Sequence, residues 1–285
     1  MAGYRRGLRL PGSVVVVAGA AGAVGGAVAQ ALARAGARPV LVDRPSAELD
    51  AVASVCGTAG HAAPVLPTDL ADAEAVSAAA RATVERWGRL DGWVHCPDVT
   101  GFDGASGALI ELPPADVRRV LDVELLGALH GARAALPLMA AQGDGVLVVV
   151  VSVHAQVARP YGAPQGMAGA GVRVLAAALR QELRLGGARG AGTRGVAVTT
   201  VLAPSVAAPG PYGRPFPRGR PERIAATVLL QLRRPRLEKV AGGPLAKAVV
   251  HGHALVPAAT EWLVARASRP RPRAPSRKTD RDRRD

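Results

Sequence analysis

The sequence contains no asparagine, and only two cysteines, two phenylalanines, three tyrosines and three tryptophans in 285 residues. Two cysteines, Cys56 and Cys96, exclude a disulfide-stapled scaffold and fit a reducing, cytoplasmic setting. Lysine is almost as scarce: Lys239, Lys247 and Lys278 are the only three among 36 basic residues. A long hydrophobic run is missing too. The one extended charge-free stretch, Leu10 to Ala33, carries five glycines between positions 12 and 26, which argues against a secretory leader or a membrane span. What is present is a chain 49% hydrophobic and 20% charged, long enough to bury a substantial core and too apolar to be wholly disordered.

The net charge of +14 is concentrated at the ends. The segment SRPRPRAPSRKTDRDRRD, residues 268–285, holds eight basic and three acidic side chains, and Arg5, Arg6 and Arg9 add three more positive charges. Residues 1–11 are expected to be a flexible N-terminus. The Pro- and Arg-rich tail is expected to be disordered and solvated, since it has almost nothing apolar to offset the entropy of ordering. The remaining excess is mild, so no specific nucleic-acid partner is expected.

Between these ends, residues 12–267 alternate short β-branched runs with helical patterns, and no internal repeat stands out. Strands are predicted at 13–18, 38–42, 62–66, 92–95, 145–151, 195–202 and 238–241. Helices are predicted at 23–35, near 46–55, at 72–87, from Pro113 and Pro114 to about Ala141, at 165–186, 221–233 and 244–266. The run GVLVVVV at 145–151 is apolar throughout, as a strand covered on both faces requires. This alternation predicts one α/β domain of Rossmann type: a doubly wound parallel sheet in three α/β/α layers.

The strongest chemical signal lies between the first strand and the first helix. AGAAGAVG, Ala18 to Gly25, places glycines at 19, 22 and 25. Such a turn lets the backbone approach a pyrophosphate, and the helix behind it supplies unpaired N–H groups and a positive dipole end. Asp43 follows Gly19 by 24 residues, at the end of the second predicted strand. A carboxylate there accepts hydrogen bonds from the adenosine ribose and repels a 2′-phosphate, so NAD is preferred to NADP. Arg44, its neighbour, offers the opposite reading, a cation for that phosphate.

From these residues onward the chain resembles the short-chain dehydrogenase/reductase family, over about 12–245. AGAAGAVG resembles the family's glycine motif with Ala18 in place of Thr. PTDL (67–70), LDGWVHCPDV (90–99), VLDVELLG (120–127), GVLVVVVSV (145–153), VRVLAAALRQEL (172–183) and VLAP (201–204) follow in the family's order. The resemblance implies a seven-stranded sheet, a nicotinamide cofactor, a small apolar carbonyl or alcohol substrate, and a homodimer or homotetramer formed through the two long helices. It implies a cofactor set of Gly19, Gly22, Val24, Gly25, Asp43, Asp69 and Leu70, with Asp69 against the adenine. It places the catalytic Ser at Ser152.

The departures carry the functional question. The family's general-acid Tyr lies 13 residues after the Ser, and its Lys four further on lowers the Tyr pKa by its charge. Those positions are Gln165 and Gly169. Gln does not titrate, and Gly has no side chain. The family's helix Asn becomes Glu124, its NNAG turn becomes His95-Cys96-Pro97-Asp98, and the Thr after its PG segment falls near Ala208. Tyr161, in a loop between Pro160 and Pro164, is the one candidate replacement acid, with Arg173 as a candidate charge, although a guanidinium does not readily replace a compact ammonium. His154, two residues past Ser152, is a weaker candidate. His95, His130 and Cys96 read as packing residues, and the His251/His253 pair lacks the ligand spacing of a metal site.

Two functions follow. One is an NAD(P)-dependent oxidoreductase with a rearranged proton donor. The other is a catalytically inactive nucleotide-binding homologue that serves as scaffold, sensor or partner. The segment with Pro209, Pro211, Tyr212, Pro215, Phe216 and Pro217 falls where relatives form the substrate lid.

Overall fold

A computed structural model describes residues 7–58, 63–97, 107–186, 195–206 and 219–267. The tail 268–285, Arg5, Arg6, Asp98, Ala208 and the Pro-rich segment from Pro209 to Pro217 lie outside those residues.

Seven strands pair in parallel: β1 (Val14–Ala18), β2 (Arg38–Asp43), β3 (Val65–Pro67), β4 (Gly92–His95), β5 (Asp144–Ser152), β6 (Gly195–Ala203) and β7 (Glu238–Val240). Their order across the sheet is β3-β2-β1-β4-β5-β6-β7. The connecting helices are α1 (Ala23–Arg34), α2 (Ala47–Thr58), α3 (Ala73–Trp87), α4 (Pro114–Val120), α5 (Gly127–Gln142), α6 (Ala163–Arg184) and α7 (Pro221–Arg233). Two more, α8 (Pro244–Leu255) and α9 (Pro257–Ala267), follow β7.

β1 shows why the sheet is covered on both sides. All five of its residues are buried, and alternate side chains feed opposite cores. Val14 and Val16 pack with Val76 of α3, Met139 of α5 and Val172 of α6. Val15 and Val17 pack with Leu32 of α1, Leu49 of α2 and Ile224 of α7. A period of two in a strand with apolar residues throughout gives this two-sided burial. The strand order reverses between β1 and β4, which opens a crevice at the C-terminal ends of these strands, where such sheets hold ligands. At the other end of the same joint, the buried Asp91 carboxylate accepts the Val14 N–H at 2.8 Å and pairs with Arg89.

Three elements differ from the sequence reading. The long helix after Pro113 is interrupted by a π-helical turn at Leu121–Leu126, where the Gly127 N–H reaches back to the Asp122 carbonyl. The terminal helix breaks in two at Val256 (φ −138°, ψ 71°), because Pro257 bars helical backbone in the residue before it. Within the N-terminal segment expected to be flexible, the described part is packed: Leu8 N–H donates to the Leu232 carbonyl at 2.8 Å, and Leu10 is buried.

Candidate functional site

The glycine turn between β1 and α1 is built from main chain. Gly19 has φ +91°, and a Cβ there would sit 2.6 Å from the Cα of Pro97. A Cβ on Gly25 would run into the Gly19 carbonyl oxygen. Both positions therefore demand glycine, one for its backbone angle and both for close approach. The Gly19 N–H donates to the Val42 carbonyl at 2.9 Å, which pins the turn to the end of β2. Gly22 caps α1 without a side-chain hydrogen bond, and the first turn holds no acidic residue. The positive end of α1 thus opens into the crevice with its amide N–H groups uncapped by side chains, a setting suited to an anion. Val24 lies in that first turn.

Asp43 ends β2 beside the same turn. Its Oδ2 accepts the Ala21 N–H at 3.0 Å, and its Oδ1 accepts the Arg44 N–H at 2.8 Å. A carboxylate has about four acceptor positions, so two remain for further donors. The structure thus places Gly19, Gly22 and Gly25 around one turn, with Asp43 bonded to its Ala21 N–H.

Asp69 and Leu70 sit on the loop after β3. Asp69 accepts the Ala71 N–H at 3.0 Å and pairs with Arg119 of α4 at 3.0 Å. Burial alone would raise its carboxyl pKa, but the Ala71 and Arg119 bonds, with the charges of Arg119 and Arg44, outweigh that and hold it below the usual range. Leu70 is buried, and its carbonyl accepts from His130 Nδ1 at 3.1 Å. The Asp69–Arg119 pair spans 50 residues, and no local spacing signals it.

At the end of β4, His95 is fully enclosed. Its Nε2–H donates to the Glu124 carbonyl at 3.0 Å, an acceptor within the π-helical turn. Its Nδ1 is buried without a partner. Burial pushes the His95 pKa down to about 4, so the ring is neutral at physiological pH. Cys96 is buried, and its N–H donates to the Ala18 carbonyl at 2.9 Å, bracing the floor of the glycine turn.

Ser152 terminates β5. Its Oγ accepts the His154 N–H at 3.2 Å, capping a single 3₁₀ turn at Val153–Ala155. The His154 ring is turned inward, with Nδ1 3.2 Å from the Val157 carbonyl. Burial, with the Arg159 charge beside it, pushes its pKa down to about 4. That ring is therefore neutral at physiological pH, its Nδ1–H held by the Val157 carbonyl.

Gly169 is the decisive position. It faces the Val153–Ala155 turn so closely that an added Cβ would lie 2.8 Å from the Ala155 Cβ and 3.8 Å from the Val151 Cβ. The position where the family resemblance puts a Lys thus carries no side chain, and any Cβ added there would press on Ala155. Arg173, one turn along α6, does not compensate. Its guanidinium binds Glu238 of β7 through Nε at 3.0 Å, and reaches the Ala155 carbonyl at 3.5 Å. Gln165 is half-buried. Tyr161 lies in the loop before α6 and has φ +63°, the sole non-glycine residue with positive φ among those described. A bulky side chain in that region marks local strain of about 1–3 kcal/mol.

His253 belongs to the C-terminal hairpin. His253 Nδ1 lies 2.9 Å from Thr260 Oγ1 between α8 and α9. Among the described residues, no three His, Cys, Asp or Glu side chains gather as a metal site.

Comparison with known proteins gives this geometry a context. The sequence profile of the short chain dehydrogenase family matches residues 13–208. The chain is 32% identical over 218 residues to cis-4-hydroxycyclohexanecarboxylate dehydrogenase from Sinomonas cyclohexanicum, covering 75% of this chain and 79% of that protein. Some other curated relatives are matched over about half their length, 53% in one case. A metagenomic short-chain oxidoreductase solved with NADP superimposes with a TM-score of 0.66 at 28% identity, covering 80% of this chain and 93% of that one. A xylitol dehydrogenase solved with NAD+ shares the fold, with a TM-score of 0.72 at 20% identity over 82% of this chain and 98% of its own.

Proposed function

The chain belongs to the short-chain dehydrogenase family, and from that premise we propose that it holds a nicotinamide dinucleotide, NAD(H) in preference to NADP(H), without the ordinary Ser-Tyr-Lys chemistry on carbonyls and alcohols. In this reading it is a nucleotide-binding homologue of the oxidoreductases, acting as scaffold, sensor or partner of an active relative.

The nucleotide half rests on the fit of the residues present. The uncapped amides of α1 offer donors to the two phosphates, and Gly19 and Gly25 leave room for close backbone approach. Asp43 keeps acceptor capacity for the ribose hydroxyls, and its charge opposes a 2′-phosphate there. Asp69 and Leu70 form the wall for the adenine. A bound nicotinamide supplies a hydride donor or acceptor, so the question at the other end is whether the chain can move the accompanying proton.

The observation that carries the negative half is the contact between Gly169 and Ala155. The family's ammonium acts by its charge on the neighbouring phenol, and Gly169 has no side chain to supply that charge. Gln165 cannot replace the phenol, and the neutral, hydrogen-bonded His154 cannot replace the cation.

A second reading has one observation in its favour, the left-handed backbone of Tyr161. Strain of this kind concentrates at functional positions. In that reading Tyr161 is the proton donor of an oxidoreductase acting on a small apolar carbonyl or alcohol, with Ser152 holding the substrate oxygen. Exposed Leu126, Met167 and Val174 around the π-helical turn and α6 support association into a dimer or tetramer through the long helices in either reading.

Calorimetric titration with NADH and NADPH tests the first half, with NADH expected to bind more tightly. No heat and no thermal shift with millimolar dinucleotide overturns it. A turnover screen over ketones and alcohols tests the second half. No turnover is expected, and robust turnover abolished by Tyr161→Phe establishes the oxidoreductase reading instead.

A further inference from the structure

The last two helices present an unusual surface. Across 24 residues, PLAKAVVHGHALVPAATEWLVARA, they carry three charged side chains, Lys247, Glu261 and Arg266. Leu245, Leu255, Val256, Trp262 and Leu263 are all more than half exposed, Leu255 at 82%. Ala246, Val250 and Val264 hold the pair to the core, and Gln156 Nε2 donates to the Val250 carbonyl at 3.0 Å. The polar His253 points at Thr260 inside the hairpin, while the large apolar groups face out. A surface helix ordinarily shows the reverse pattern, and a cluster of exposed large apolar side chains marks a docking face.

Charge selects the occupant. The chain leaves α9 directly into residues 268–285, which carry eight basic and three acidic side chains. A second copy docking on this face would bring two such tails together, and mutual repulsion opposes that contact. A surface that is apolar below and negatively charged above satisfies both the hairpin and the tail. We propose that the α8–α9 hairpin seats the protein in the plane of an anionic lipid bilayer, with the basic tail on the headgroups.

Length fixes the mode. Helices of 12 and 11 residues extend roughly 17 Å each, against about 30 Å of bilayer hydrocarbon, so they lie in the interface rather than cross it. Trp262 fits that depth, and Arg266 stacks over its ring at 5.6 Å, leaving a cation at the headgroup level.

The test is co-sedimentation of the full chain with phosphatidylcholine vesicles, with and without phosphatidylglycerol. Binding is expected only with phosphatidylglycerol, to weaken as salt rises, and to shift tryptophan emission to the blue. A Leu255→Glu/Trp262→Glu variant with unchanged circular dichroism is expected to partition about tenfold less or weaker still. If that variant misfolds, Trp262→Gln carries the same expectation with a smaller loss. Deleting 268–285 is expected to weaken binding and flatten its salt dependence. A wild-type chain that stays in solution with anionic vesicles at low salt overturns the proposal. So does a double variant that binds as well as wild type, which assigns all binding to the tail. So does a dimer that forms without vesicles and is lost in the double variant, which assigns the face to a second copy.

Discussion

Gly169 and Ala155 are small, but their contact has the largest consequence for chemistry. Their approach means that any side chain introduced at 169 must displace Ala155 or shift α6. Gly169→Lys is expected to cost about 1–3 kcal/mol of stability through overpacking. Adding Ala155→Gly should recover most of that, as a double-mutant cycle on thermal or urea midpoints will show. That Gly169 lies 17 residues after Ser152 is legible in the sequence, but its approach to Ala155 is not, because the two meet only through the fold. The same holds for Asp69 and Arg119. The glycine turn was more legible, because Gly19, Gly25 and Asp43 are demanded by local backbone geometry and one strand-to-strand step.

At the scale of elements, order and type were legible from periodicity alone: buried strands as unbroken apolar runs, helices as 3.6-residue patterns opened by Pro or Asp. Two features escaped. The π-helical turn at Leu121–Leu126 has no compositional mark, and the bond from His95 to its Glu124 carbonyl joins residues 29 apart in sequence. The break at Val256 was marked by Pro257, but the apolar pattern on both sides masked it. Packing between elements yields a separate expectation at Gly131, where α5 crosses β4. A Cβ there would lie 2.6 Å from Trp93 Nε1. Gly131→Val is expected to push α5 off the sheet, lower stability by about 1–3 kcal/mol and alter the emission of the buried Trp93.

For the whole molecule, buried neutral histidines set the response to acid. The rings of His95 and His154 have an ordinary pKa of 6.5 and are held at about 4 in the fold. Between these values the unfolded chain binds more protons than the folded one. Stability that is complete above pH 6.5 is therefore lost as pH falls towards 4, by up to about 3 kcal/mol per ring. Thermal midpoints measured across this window should decline, and His95→Gln should make the decline shallower. Asp69, held low, adds to the loss only at still lower pH. The sequence alone places His95 among packing residues but makes His154 a weak candidate for proton transfer; its burial depends on how the turn after β5 folds inward.

The cradle beside α1 is assembled from amides, carbonyls and the absence of Cβ atoms, with Asp43 as its main side-chain component. Proton transfer, by contrast, depends on the tips of long side chains. The two capacities therefore have different mutational exposure. On the proposed reading, substitutions on the pocket side of β5 and α6 can remove proton transfer while leaving the cradle untouched, and a single methyl at Gly25 is expected to close the cradle while leaving the pocket intact. Affinity for the nucleotide and reactivity towards it would then be separable in this fold, each with its own failure points.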